Sequence, residues 1–496
     1  MINAKAEKRI GLLVLTAFIV VSFVQHLPFI RTDIQGIHAW RQSSTMWNVR
    51  NFARHDANIF NPRQSHHPGG GSNIVRLEFP VMQWCIGMAQ RVFGERIELV
   101  RGILFGIGAV TLFGMFFLVH RITGSYLTGA ATAILMQYAP LFYHYTINPL
   151  PDVLALCLAT WYLYHIVTHR KLGTARNLQY AGACLLGATA VKLPYLMFSI
   201  VSIYFFLSDL LLRRVPLSRL IRYGALQLIW IVPALVWYAW VSRDWAPSAV
   251  LYGVFETGLF TEENERIWLY HRETLIPYML TQPYVWLPIC VGVIPLLMQA
   301  QLRWVLSLIA ITALYFTLEI NAISHIHDYY MLPFLPWLYL VAAFGMHTFV
   351  AVSRKFSFAL LALCVASAWY TPPATAKQWS VAETYFNPDV FTYADDLRAA
   401  IPDTAKALIL SDLSQSIFSY QVDKQGQSWA TDSLPPEWLD DIVGNQGYRY
   451  LYSDLPNLNK HPVYAPYKDS LLLERGSIQV YRLKMPGEPS TSASAE

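Results

Sequence analysis

A chain of 496 residues that is 54% apolar and 14% aromatic, with only 14% charged residues, departs from the roughly 25% charged residues of an ordinary soluble domain. This composition excludes a conventional water-soluble protein and points to a polytopic membrane protein. The net charge of +5 is spread along the chain, and without a block of lysine and arginine it argues against nucleic acid as a partner.

Lys5, Lys8 and Arg9 precede the apolar run IGLLVLTAFIVVSFV, and no small-residue cleavage site precedes Pro28. The first helix is therefore expected to be an uncleaved anchor. Segments of roughly 20 apolar residues, enough to cross about 30 Å of hydrocarbon, recur near 10–29, 102–120, 126–145, 150–168, 178–194, 195–212, 224–242, 284–300, 303–320, 331–350 and 356–371. Eleven transmembrane helices are thus expected. Lys192-Leu-Pro194 interrupts one apolar stretch, which leaves open one kinked helix or two separate ones.

Arg121, Arg170 and Lys171, Arg213 and Arg214, Arg303, and Arg354 and Lys355 occupy alternate short loops. With eleven spans, the positive-inside rule puts the amino terminus in the cytoplasm and everything after Thr371 outside. The loop 31–101 then faces outward although it carries nine arginines. Long loops are largely exempt from the rule, and arginine suits phosphate geometry. Met46, Val49 and Ala53 recur there at helical spacing, with Arg50 and Arg54 on another face, the pattern of a helix in the interface. Residues 79–93 form a second such stretch.

After Thr371 the pattern becomes that of a soluble α/β domain over 372–484: a helix opened by Pro388 and running to Ala400, a strand at 406–412, a short helix opened by Pro435 and Pro436, and strands in GYRYLYSD and SIQVYRL. Residues 485–496 have the composition of a disordered tail. The membrane part, 1–371, is expected to be the catalytic domain. Cys85, Cys157, Cys184, Cys290 and Cys364 have no paired spacing, so neither a zinc site nor a disulfide framework is indicated.

Asp33, just past the first span, leads the candidates, because an ionisable residue at a membrane boundary needs a reason to be there. A carboxylate partly withdrawn from water can act as a general base; the plain alternative is a helix-end carboxylate. Asp152 follows Asn148-Pro-Leu-Pro at the same outer face. It either shares a site with Asp33, where one carboxylate could act as base while the other orients a substrate amine or hydroxyl, or both could hold a divalent cation against a phosphate, or it simply caps the helix following Pro151. Glu78 reads as a site carboxylate or as the partner of Arg76 in a surface pair worth about 0–1 kcal/mol. Lys192 neutralises an anion or snorkels. His327, Tyr329 and Tyr330 open the tenth span as phosphate donors or as aromatic-belt anchors. His38, Trp40 and Arg41 are first-loop candidates for contacts with the sugar, the lipid or its phosphate. His66 to Gly71 reads as a loop, with a metal site or an anion nest as the alternatives.

DIQGIHAWRQSSTMWNVRNFARHDANIFNPR, LEFPVMQW, NPLPD, VKLPYL and HDYYMLPFLP together resemble the bacterial GT-C glycosyltransferases related to lipid A aminoarabinose transferase and to protein O-mannosyltransferases. The resemblance covers the membrane part. It implies a polyprenyl-phosphate sugar donor, membrane lipids as surroundings, a lipid, glycan or protein acceptor, and inverting transfer at the outer face of the bacterial inner membrane. It also implies that Asp33 acts at the acceptor, that Glu78-Phe79-Pro80 matches a Glu-x-Pro motif, that Asp152 matches a second-loop aspartate, and that Lys192 and His327 to Tyr330 contact the lipid phosphate. No cofactor is implied beyond an optional divalent cation. The first loop lacks the paired Asp-Glu and the His-Pro-Pro of the mannosyltransferases, so the substrates stay open. The rival readings are a transporter or lipid flippase, and an O-antigen ligase or polymerase using the 244–283 loop with Glu262, Glu263 and Glu265.

Overall fold

The computed structural model describes residues 4–65, 71–244, 262–320, 322–323, 327–353, 355–456 and 458–489. The His66–Gly70 part of the glycine-rich insert, residues 245–261 of the 244–283 loop and residues 490–496 of the tail lie outside the described residues.

In chain order the helices of the first half are α1 (Ala4–Ile30), α2 (Ala39–Arg54), α3 (Val81–Phe93), α4 (Ile97–Thr123), α5 (Tyr126–Gln137), α6 (Pro140–Tyr145), α7 (Pro151–Leu172), α8 (Ala175–Val191), α9 (Ile200–Leu211) and α10 (Leu217–Val241). They are followed by α11 (Glu262–Tyr270), α12 (Trp286–Met298), α13 (Trp304–Leu318), α14 (Leu335–Val352) and α15 (Phe356–Thr375). The remainder holds α16 (Asp389–Thr392), α17 (Ala394–Ala399), β1 (Ala407–Ile409), α18 (Ile417–Val422), β2 (Gly426–Ser428), α19 (Pro436–Asp440), β3 (Tyr450–Ser453), β4 (Lys468–Arg475) and β5 (Ile478–Leu483).

Each of the eleven apolar stretches is helical. Among the described residues, 6 helices are long and apolar enough to cross a membrane, and up to 7 if the pair Glu265–Leu280 and Pro283–Met298, bent by 84°, is one span. The protein is therefore a multi-pass α-helical membrane protein, with the count of eleven left as an expectation. The shortfall has local causes: α5 and α6 are separated by a break, and α13 is only 15 residues long. The Lys192 interruption resolves into two elements. Pro194 lacks the amide hydrogen that continuing α8 would require, so α8 ends at Val191, Lys192 is extended, and a 3-10 turn (Leu193–Ser199) leads into α9.

The chain divides into two compact units. The first comprises Met1–Thr32, Leu77–Met82 and Arg96–Lys377, and the second Asp33–Arg76, Gln83–Glu95 and Gln378–Glu496. Most of the first loop is thus grouped with the C-terminal α/β domain rather than with the spanning helices. In the first unit α12 and α14 cross closely: a Cβ at Gly292 would lie 1.8 Å from the Val341 carbonyl oxygen and one at Gly345 1.9 Å from that of Pro288. Small residues allow such backbone approach between membrane helices.

The second unit holds a five-stranded sheet ordered β2-β1-β3-β5-β4. β1 is parallel to β2 and β3, with Leu408 paired to both Gln427 and Leu451, while β5 is antiparallel to β3 and β4. Alternation along the strands sends Ile409, Tyr452 and Val480 to one face, against Leu397, Phe418 and Val422. Leu408, Leu451 and Tyr481 go to the other face, against Leu439, Ile442 and Val443.

Candidate active site

α7 opens on Pro151, suited to a first helical position where an amide hydrogen has no partner. Asp152 follows in the first turn, where a carboxylate is favoured by the free amides and the helix dipole. Its side chain is only 2% exposed, and its Oδ2 lies 3.4 Å from Lys192 Nζ. The same ammonium stands over two rings, 4.6 Å from the centroid of Tyr330 and 5.7 Å from that of Tyr329, an arrangement in which the ring quadrupoles also favour the cation. His327 packs beside both tyrosines, its centroid 5.7 Å and 5.1 Å from theirs. Beneath them Tyr145 donates its hydroxyl to Asp328.

Glu78 also belongs to the first unit. Phe79 N donates to the Ala190 carbonyl at 2.9 Å, and Trp237 Nε1 donates to the Leu77 carbonyl at 3.1 Å. These bonds hold the Leu77–Phe79 backbone against α8 and α10. Tyr238 of α10 also donates its hydroxyl to the Ala190 carbonyl, at 3.0 Å. Asp152, Lys192, His327, Tyr329 and Tyr330 are thereby brought together. Chemically this is a buried cation balanced by a carboxylate and walled by aromatic rings, a setting that accepts a further anionic oxygen.

Asp33, His38, Trp40 and Arg41 belong to the second unit. Asp33 Oδ1 accepts from the Tyr420 hydroxyl at 2.8 Å and from Ile34 N at 2.8 Å. Its Oδ2 lies 3.3 Å from Arg398 Nη2, and the carboxylate side chain remains 41% exposed. Tyr420 is buried, and burial first, then the Asp33 charge, pushes its ionisation well above the usual phenol range, so the hydroxyl acts as donor. The Arg50 guanidinium lies 3.8 Å from the Tyr420 ring centroid and donates to the Tyr420 carbonyl at 2.8 Å.

The backbone of the loop is held equally closely. Ile37 N donates to the Gln378 carbonyl at 2.8 Å, Gly36 N to Thr384 Oγ1 at 2.8 Å, and Gln421 Nε2 to the Ile34 carbonyl at 2.6 Å. Gly36 has φ +85°, and a Cβ there would stand 2.2 Å from the Gln378 carbonyl oxygen. His38 adopts a left-handed conformation at the start of α2, and both it and Arg41 are buried. Trp40 is half-buried, its carbonyl accepting from Ser416 Oγ at 3.0 Å.

α2 is present as expected, and its cationic face meets protein. Arg54 bonds both Glu95 and Asp423 at 2.8 Å, and Arg50 pairs with Asp423 at 3.2 Å. Asp423 loses by burial but gains more from Arg54 and Arg50, which together hold its carboxyl below the ordinary value. Arg63 engages Asp56 and Asn73, Arg76 engages Asn61, and Arg101 binds Asn148. These arginines of the first loop are thus engaged in building the fold. Arg76 and Glu78 fall in different units.

A cavity of about 820 Å³ in the first unit, lined by Arg170, Lys171, Arg214 and Arg303, lies at the far end of α7 from Asp152. Its size does not make it the reactive centre. Arg170 is paired with Asp209, Lys171 donates to the Arg121 carbonyl and Arg303 to the Leu297 carbonyl, as expected of cations closing helix C-termini. Among the described residues no group of three or more His, Cys, Asp and Glu side chains is placed to hold a metal ion.

Tyr420 and Arg398 sit outside any motif and were missed by sequence reasoning; the apolar spacing of Ile417, Phe418 and Val422 was the available signal for α18. Asp328 and its Tyr145 donor were within reach, since Asp328 stands inside HDYYMLPFLP.

Two kinds of comparison bear on this arrangement. A family model described as dolichyl-phosphate-mannose-protein mannosyltransferase matches residues 67–237. The fold is similar to that of ArnT from Cupriavidus metallidurans in the apo state, with TM-score 0.65, 13% identity, and 95% of this chain and 97% of that chain covered. The chain thus shares the ArnT fold, and its residues 67–237 match the mannosyltransferase family model. The same ArnT bound to undecaprenyl phosphate aligns with TM-score 0.62, 13% identity and the same coverage. The chain is also similar to the Archaeoglobus fulgidus oligosaccharyltransferase in complex with zinc and sulfate, with TM-score 0.55, 12% identity, and 89% of this chain and 68% of that chain covered. No curated protein sequence matches the chain.

Proposed function

We propose that this protein is a GT-C glycosyltransferase that moves a sugar, with inversion, from a polyprenyl-phosphate carrier to a hydroxyl of a lipid, glycan or protein acceptor at the outer face of a bacterial inner membrane. One observation carries the reading: the Lys192 ammonium held between the Asp152 carboxylate and the rings of Tyr329 and Tyr330. In the transfer the acceptor oxygen forms a bond to the anomeric carbon while the bond from that carbon to the phosphate oxygen breaks. The electron pair stays on the lipid phosphate, whose negative charge rises. A fixed cation that gains attraction as that charge develops lowers the barrier, whereas one that binds both states equally does not.

In this reading the helical unit serves the donor: Lys192 faces the phosphate, with His327, Tyr329, Tyr330 and Glu78 around it and Asp152 setting the lysine's position. The second unit serves the acceptor. Asp33 takes the hydroxyl proton, its orientation set by Tyr420 and Arg398, and His38, Trp40 and Arg41 are assigned to substrate contacts. A divalent cation is the one cofactor this chemistry would admit. The matches to a mannosyltransferase family model and to an ArnT structure containing undecaprenyl phosphate support the donor class.

The test is to reconstitute the protein in nanodiscs with a radiolabelled undecaprenyl-phosphate sugar and follow label leaving the lipid. Wild type should release it and Asp33→Asn should not. Equal turnover by a well-folded Asp33→Asn protein removes Asp33 from the mechanism. A topology reporter fused after Leu483 checks sidedness: activity of the fusion in the cytoplasm contradicts the outer-face assignment.

A further inference from the structure

The second unit contains a small cavity of about 270 Å³ lined by Gln427, Trp429, Trp438, Asp441, Ile442 and Gln446, close to the lower end of the size range of ligand pockets. Its walls are unusual for a surface with no task. Trp438 is 46% exposed, and its ring centroid lies 5.1 Å from that of half-buried Trp429, the planes inclined by 43°. α19 leaves Trp438 outside because its neighbours Leu439 and Ile442 fill the core against Leu408 and Leu451.

The polar groups form a directed chain. Trp429 Nε1 donates to Gln427 Oε1 at 3.1 Å, Gln427 Nε2 to Gln446 Oε1 at 2.7 Å, and Gln446 Nε2 to Asp441 Oδ2 at 2.6 Å. Asn445 Nδ2 completes it by donating to Asp441 Oδ1 at 2.8 Å. Gln427 is 1% exposed, so the chain is anchored from within. The bonds from Asn445, then Gln446, hold the Asp441 carboxyl below its ordinary value. The result is an oriented carboxylate at the solvent end of the chain, with lone pairs to spare, next to two indole faces.

We propose that this pocket is a saccharide-binding subsite, in which a pyranose stacks on Trp438 and Trp429 and donates hydroxyl hydrogens to Asp441 and Gln446. The axial C–H bonds of a pyranose carry partial positive charge and match the negative face of an indole ring. Vicinal hydroxyls match a carboxylate and an amide oxygen, both acceptors with fixed directions. Gln427, Gln446 and Asp441 set amide and carboxylate groups beside the apolar faces of Trp429, Trp438 and Ile442, a mixture of polar and apolar surface that a sugar ring also presents.

The subsite is not the reacting one. Asp33 is bonded by Tyr420 of α18, and α18 packs on the sheet face bearing Ile409 and Tyr452, whereas the pocket belongs to the face bearing Leu408 and Leu451. With about 10 Å per layer, roughly 20 Å separates the two. A sugar in this pocket would therefore belong to an extended glycan, several units from its reacting end. The inference rests on the glycosyl-transfer reading for its purpose and narrows the acceptor class to a glycan.

The experiment is saturation-transfer NMR on the full chain in nanodiscs with methyl β-glucopyranoside, methyl α-mannopyranoside, cellotetraose and mannotetraose, and tetramethylammonium as a cationic control. At least one sugar should receive saturation, strongest at axial C–H protons. Trp438→Ala should weaken that signal about fivefold, and Asp441→Asn should also weaken it, with Trp438→Phe retaining most of it. No sugar signal, a signal indifferent to Trp438→Ala, or saturation of tetramethylammonium alone overturns the proposal. So does a change of oligomeric state in Trp438→Ala with sugar binding intact. Sugar release from the lipid is measured separately: Trp438-dependent glycan binding without any release sinks the transfer reading and leaves the subsite standing, and the converse sinks only the subsite.

Discussion

Tyr420 reaches Asp33 across 387 positions of sequence, its hydroxyl 2.8 Å from Oδ1. The carboxylate proposed to receive the acceptor proton is thus aimed by the C-terminal domain. Because burial and the neighbouring charge keep the phenol protonated, Tyr420→Phe deletes a donor and little volume. A hydrogen bond to a charged group is worth about 1.5–3 kcal/mol, so the variant should lose roughly tenfold or more in kcat while its thermal midpoint moves by only a few degrees. Sugar-release rates against acceptor concentration check this. An unchanged kcat would make the bond structural only.

Lys192 and Asp152 should depend on each other. Removing one partner of a buried ion pair typically costs about 3–5 kcal/mol, because the remaining charge is stranded. Lys192→Met and Asp152→Asn alone should each lower the unfolding midpoint in nanodiscs sharply. The double variant should recover part of the stability without recovering turnover. Additive losses would mean that the 3.4 Å contact contributes nothing.

Gly36→Ala should disturb the first loop at one point. The added methyl would stand 2.2 Å from the Gln378 carbonyl oxygen at a φ of +85°, a conformation that carries a strain cost of about 1–3 kcal/mol outside glycine. Limited proteolysis should cut the 33–38 segment faster in this variant. Wild-type protease resistance would show that the backbone gives way at no cost.

Stability of the second unit should carry a pH signature from Asp412. Burial raises its pKa from 3.8 to about 6, against the opposing bonds from Ser414 and Phe418. The folded state then holds this proton more tightly than the unfolded one, so its contribution is complete below about pH 4 and is lost as pH rises to about 6. At 1.36 kcal/mol per unit, the loss is about 3 kcal/mol. Asp423, held below its ordinary value, works in the opposite sense, contributing above its unfolded pKa and losing as pH falls. Comparing wild type with Asp412→Asn from pH 4 to 7 isolates the first effect: the difference should shrink toward low pH, and a flat difference would refute the shift.

The spanning helices were readable because roughly 20 apolar residues in a row serve one purpose, and Pro151 and Gly173 mark the ends of α7 in the sequence itself. Lys192 was readable as an anomaly, a charge in an apolar stretch. The partners were another matter. β2 (Gly426–Ser428) is three residues long and β4 has a broken alternation with bulges, so neither announced itself. Tyr420 and Arg398 are ordinary residues made special by a fold that joins segments from both ends of the chain, and no local pattern encodes that. The arginines of the first loop were read toward phosphate although they serve the fold, Arg63 with Asp56 and Arg76 with Asn61 inside the loop and Arg50 with Asp423 beyond it.

Interleaving the 33–95 region with everything after Gln378 also imposes an order in time. At about 5–20 residues per second of synthesis, roughly 20–80 s pass between the emergence of Asp33 and that of Tyr420, 387 positions later. For most of that interval the early loop lacks the phenol, guanidinium and backbone acceptors that fix it. A nascent chain therefore carries the carboxylate proposed as the base unaimed until Tyr420 has been made, and a product truncated before that residue is expected to be membrane-inserted but idle.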